Sequence, residues 1–193
     1  MRVTLSLAAT LLATLGCLHA SQALSSDAAP DPTPPCAAPE FRQFDFWLGN
    51  WEVRDAGGQV VGTNLVERKF GDCVVQENWT GQKGMRGSSF NIYSPATRQW
   101  HQTWVDDHGT LLELDGEYRD GKMVLVGEIP AKHESGKSVR QRISWEKQAD
   151  GQVRQLWETS GDGGRTWTVA FDGWYSRIPA APRDGAPSGT PRR

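Results

Sequence analysis

The residues of this chain that can do chemistry are few and scattered. Glu77, Glu113 and Glu158 can supply a pair of carboxylates for acid–base work, if the fold brings two of them to one interior. Arg142 carries a planar fork of donors that would anchor a ligand carboxylate. The same side chains serve equally well as cross-strand hydrogen-bond and ion-pair partners with no ligand at all. His101, His108 and His133 have no second ligand at metal-binding spacing, so no metal site is expected. No histidine falls in the last two strand-like segments, which also disfavours a haem ligand there. The sequence has no Gly-x-Ser-x-Gly, no Gly-rich phosphate loop and therefore no expected cofactor.

The cysteines suggest a structural role. Arg2 and the apolar run Leu5–Leu15 have the form of an export signal, and Ser21-Gln22-Ala23 places small residues where a signal peptidase reads. Cleavage after Ala23 is the favoured reading. Lipidation at Cys17 is its rival, but Thr14 and Leu15 suit that processing poorly. The apolar run is too short for a membrane span. An exported chain keeps Cys36 and Cys73, and an oxidising compartment favours a bridge between them; two free thiols are the alternative. The expected location is the periplasm or the exterior.

Any site must be held by the segment between two solvated ends. Residues 24–39 are rich in Pro and Ala and read as a tether. Residues 179–193 read as a Pro, Gly and Arg tail. Residues 40–178 form one expected domain. Nine Trp in a chain of 193 residues, with 37% hydrophobic content, call for a packed core. A formal charge of −2 leaves no electrostatic footprint for nucleic acid.

Within that domain Phe41, Phe44, Trp47, Leu48 and Trp51 recur every three or four residues, which predicts a short helix over Glu40–Leu48. Gly49-Asn50 ends it, and from Trp51 onward strand-like runs alternate with turn residues. Ten such runs joined by hairpins predict an all-β, antiparallel, up-and-down meander. An open meander would leave two edges and one large apolar face, so closure into a barrel is expected, with the helix closing one end. Barrels of this size can enclose one small ligand.

Alternation exposes mixed strand faces. Glu77 shares a face with Val75 and Trp79; Gln102 lies between Trp100 and Trp104. Arg142 shares one with Arg140 and Ser144, and Glu158 one with Arg154 and Leu156. Aromatic and polar residues on one face suit a wet cavity better than a sealed core. Trp79, Gln102, Trp104, Arg142, Glu77 and Glu158 are therefore the candidate lining residues. The favoured function is binding of a small, partly apolar ligand. A hydrolase or isomerase using Glu77 or Glu158 is the second reading, and a filled barrel that works through its outer face the third.

Two motifs carry resemblances. Ser160-Gly161-Asp162-Gly163-Gly164-Arg165-Thr166-Trp167 resembles the Asp-box of sialidase-type propellers. Those propellers need several copies, and one copy implies a stapled hairpin built on Asp162 and Trp167. Gly49-Asn50-Trp51 resembles the Gly-x-Trp opening of lipocalins, in which the Trp packs across the barrel floor beneath an Arg from the last strand; Arg177 is placed for that part. With Trp47, Gly49 and Trp51 it is expected to be structural. The segments at 44–51, 71–79, 100–106 and 160–167 together resemble an uncharacterised bacterial family of exported, lipocalin-like (calycin-like) barrels of unknown function. That resemblance implies the barrel and the export and supplies no activity.

Overall fold

The computed structural model describes residues 34–131 and 136–179. The expected leader over 1–23, most of the expected tether, His133 and all but the first residue of the expected tail lie outside the described residues.

Ten antiparallel strands close into a barrel, each paired with its sequence neighbour, with β1 pairing β10. They are β1 (Gly49–Asp55), β2 (Val60–Lys69), β3 (Val74–Gly81), β4 (Arg86–Ser94), β5 (Gln99–Asp106), β6 (Leu111–Arg119), β7 (Lys122–Pro130), β8 (Ser138–Lys147), β9 (Val153–Ser160) and β10 (Thr168–Arg177). Closure leaves no unpaired edge, which is what a meander of this length requires. The turns follow their residues. Between β6 and β7, Asp120 and Gly121 both take positive φ, 52° and 79°, the conformation of a two-residue hairpin whose twist matches the strands. β10 starts later than its sequence suggests, at Thr168, because the residues before it are spent on a side-chain-capped turn.

The N-terminal closure is the expected short helical segment, built as two 3-10 turns, Pro39–Arg42 and Asp45–Trp47. Phe41, Phe44 and Trp47 are spaced by three, and at three residues per turn they fall on one face. All three are buried. Phe44 stacks on Trp47 at 4.8 Å and meets Trp100 and Trp145 edge-on. The Trp51 indole donates to the Trp47 carbonyl at 2.9 Å, which locks the plug to the first strand. Arg177 lies 4.4 Å from the Trp51 ring centre. Gly49 lets it lie there: φ is +148°, and a Cβ would come within 2.4 Å of the Arg177 guanidinium.

The Cys36–Cys73 disulfide is formed and ties the segment before the plug to the start of β3. Arg42 reinforces the tie by donating to the carbonyls of Cys36 and Asp72. Arg68 pairs with Asp45 beside it. This end of the barrel is therefore shut by packing, a covalent link and ion pairs.

Candidate functional site

Above the plug the barrel interior is hollow. A cavity of about 290 Å³ lies between Glu77, Gln102 and Tyr175 at depth and Trp79, Trp104, Trp157, Phe171, Met85 and Ala170 toward the opposite end. Ala170 is exposed, so that end is the mouth. Its volume is at the lower edge of the range for small-molecule sites.

Each lining group has a local cause. Strand alternation turns Glu77, Trp79, Gln102, Trp104, Gln155 and Trp157 inward. Two glycines make room for two of the indoles. A Cβ on Gly62 would sit 2.6 Å from the Trp79 ring, and one on Gly87 would sit 2.2 Å from the Trp104 ring. The rings thus lie against bare backbone, as expected of a glycine inside a strand. On β10 the register shifts between Val169 and Phe171. That bulge moves Phe171 opposite inward Trp157 while Val169 stays outside opposite Glu158.

The floor of the cavity is a polar network. Glu77 accepts from Asn64 Nδ2 at 2.7 Å through Oε1 and from Ser89 Oγ at 2.7 Å through Oε2. Ser89 and Asn91 are themselves joined to Gln102: its Nε2 donates to Asn91 Oδ1 at 2.7 Å. The Tyr175 hydroxyl donates to Gln155 Oε1. Burial pushes the Glu77 carboxyl up to about 7, against the pull of its two donors, which favour the charged form. The Tyr175 hydroxyl is raised well above its usual range, first by burial and then by the neighbouring Glu77. The arrangement is one carboxyl and one phenol at the base of an aromatic well.

Four of the six expected lining residues, Glu77, Trp79, Gln102 and Trp104, line this cavity. Arg142 and Glu158 do not, and here the expectation is corrected. They face one another across β8 and β9 on the outer surface, with Arg142 Nη2 2.8 Å from Glu158 Oε2. Arg142 also lies over the Trp167 ring at 4.0 Å. The physical reason is that Gln141, Ile143 and Trp145 bury the other face of β8, and one strand has only one inner face. Neither residue can anchor an interior ligand.

Asp162 and Trp167 hold the β9–β10 turn. Asp162 accepts from the Thr166 amide and hydroxyl, the Arg165 amide and the Ser160 hydroxyl, and these donors hold its carboxyl well below the usual range. The Trp167 indole donates to the Gly164 carbonyl at 3.1 Å. His101 is on the outer face between Asp115 and Thr103. Among the described residues no group of three or more His, Cys, Asp or Glu is placed to hold a metal ion, and no helix is long and apolar enough to cross a membrane.

Sequence reasoning missed Asn64, Ser89, Gln155, Trp157, Phe171 and Tyr175 as site residues. The available signal was small and polar residues at inward positions, above all the Ser89-Phe90-Asn91 alternation beside Glu77-Asn78-Trp79.

Fold and site together define a class: a closed ten-stranded barrel, plugged at one end, with an aromatic well and a buried acid. No protein-family model matches the chain, and no curated protein matches it significantly.

Proposed function

We propose that this is an exported barrel, akin to the lipocalin-like family its segments resemble, that binds one small, partly apolar ligand in its interior. The observation that carries the reading is the open cavity with aromatic walls and a polar floor. A barrel built only for stability fills its interior with aliphatic side chains, because unfilled space costs packing energy and buried acids cost desolvation. The Cys36–Cys73 bridge supports export, since such bridges persist in oxidising compartments. Titration of the mature protein with neutral and cationic aromatic and isoprenoid compounds, read by intrinsic Trp fluorescence, tests the proposal. Trp79, Trp104 and Trp157 surround the ligand, so saturable quenching is expected. Unchanged emission across the series would overturn it.

One observation favours a second reading, acid–base catalysis. Glu77 is held near neutrality beside a phenol, a pairing that suits proton transfer on a bound carbonyl compound. A bound compound recovered chemically unchanged after prolonged incubation with the wild-type protein leaves binding as the function. Conversion that vanishes in Glu77→Gln establishes catalysis.

A further inference from the structure

We infer that the cavity selects an organic cation of the alkylammonium class, with the Glu77 carboxylate as its counter-ion. This rests on the binding proposal above and narrows it to one ligand charge. Among the described residues the lining contains a single carboxyl and no Lys, Arg or His. The arginines that sequence or proximity would offer are engaged elsewhere: Arg142 with Glu158 and Trp167 outside, Arg154 with Asp172 outside, and Arg177 over Trp51 at the plug. An anionic ligand would therefore enter a desolvated space holding a like charge and, among the described residues, no compensating cation.

The walls point the same way. The faces of Trp and Phe rings carry negative quadrupole charge and attract cations, most strongly when water is excluded. Trp79, Trp104, Trp157 and Phe171 supply four such rings around one well. Glu77 is fixed at its base by Asn64 and Ser89, both donating, so its oxygens are oriented before any ligand arrives.

Among the described residues the charge of the site depends on pH through one group. The other titratable lining residue, Tyr175 on β10, stays a neutral phenol. Asn64 on β2, Ser89 on β4, Gln102 on β5, Leu112 on β6, Ile143 and Trp145 on β8 and Gln155 on β9 carry no charge. Without ligand the Glu77 carboxyl is half protonated near pH 7. A bound cation favours the carboxylate, so binding at neutral pH releases a fraction of a proton, and affinity rises with pH until Glu77 is fully ionised.

Calorimetric titration of the folded mature protein with three probes of similar shape tests this: phenyltrimethylammonium, tert-butylbenzene and benzenesulfonate. The quaternary cation keeps its charge at every pH, so any pH dependence belongs to the protein. The expected result is saturable binding of the cation at pH 8, weakened about tenfold or more at pH 5.5. Proton release at pH 7 should appear as a dependence of the heat on buffer ionisation enthalpy. Glu77→Gln should lose the preference for the cation over tert-butylbenzene; the proton release is read on wild-type protein and needs no variant. Binding of tert-butylbenzene as tight as that of the cation at pH 8, or cation binding without proton release, overturns the inference and leaves the binding proposal standing. Tighter binding of benzenesulfonate does the same. No saturable binding of any of the three overturns the inference and counts against the binding proposal too.

Discussion

The Ser89 hydroxyl donates a 2.7 Å hydrogen bond to Glu77 Oε2 across β3 and β4, where the two residues are direct cross-strand partners. The bond fixes a carboxyl that burial has made reluctant to ionise. Its energetic consequence is a pH dependence of stability with a definite sign. The folded value, about 7, lies above the ordinary 4.5, so the folded protein binds this proton more tightly than the unfolded chain. The contribution of Glu77 is most favourable below about pH 4.5, declines as pH rises through about 7, and is constant above that. The decline amounts to about 3 kcal/mol at most, from about 1.4 kcal/mol per pH unit. Denaturant unfolding followed from pH 4.5 to 8.5 should show this loss in the wild type, and Glu77→Gln should flatten it. Equal pH profiles would show that Glu77 titrates normally.

The plug predicts a different kind of loss. Trp51 is fully buried, donates to Trp47 and lies under Arg177. Trp51→Ala should destabilise by about 3–5 kcal/mol, as large aromatic truncations do. Gly49→Ala should also destabilise, by about 1–3 kcal/mol, through its positive φ and the approach of Arg177. Urea unfolding measures both. Wild-type stability in Trp51→Ala would misplace the floor of the barrel.

The Cys36–Cys73 bridge closes a segment with a sequence separation of 37 residues. In the chain-entropy account, a loop of that length stabilises by about 4 kcal/mol. The double variant Cys36→Ala, Cys73→Ala should show a loss of that order. Ligand affinity should be unchanged under conditions where the variant is folded, since the bridge lies at the plugged end. Loss of affinity in a folded variant would tie the plug to the site.

Arg142 and Glu158 test the corrected placement. Their pair is partly solvent-exposed, and such pairs contribute about 0–1 kcal/mol. Arg142→Ala and Glu158→Ala should each leave interior binding unchanged and shift stability by that amount or less. A selective loss of binding would put them back in the cavity.

Much of this architecture was legible in residue types. Turn pairs such as Asp120-Gly121 and Asp150-Gly151 cut the chain into strands, and the edges of an open meander argued for closure. The Gly49, Trp51 and Arg177 floor and the Cys36–Cys73 bridge were also readable, because each depends on a few residues with narrow roles. The site was read less completely. On β8 the choice between the Arg142 face and the Gln141, Ile143 and Trp145 face had to go to the apolar one, but a mixed aromatic and polar cavity made both look admissible. Phe171 was beyond reach for another reason. Its inward direction depends on the bulge at Ala170, and a bulge of this kind has no compositional mark. The raised carboxyl of Glu77 comes from burial, and the two donors that fix it, Asn64 and Ser89, come from two other strands and meet it only through register.

The proposed ligand site is the interior of the barrel. The most direct test is titration of the neutral probe N-phenyl-1-naphthylamine into wild-type protein and into Leu112→Trp, with thermal unfolding confirming that the variant is folded. Leu112 is buried and lines the cavity, so the larger ring fills it. Saturable one-to-one binding with Trp quenching is expected in the wild type, with a loss of at least about tenfold, roughly 1.4 kcal/mol, in the variant. No saturable binding to the wild type, or equal binding to a folded Leu112→Trp, would contradict it.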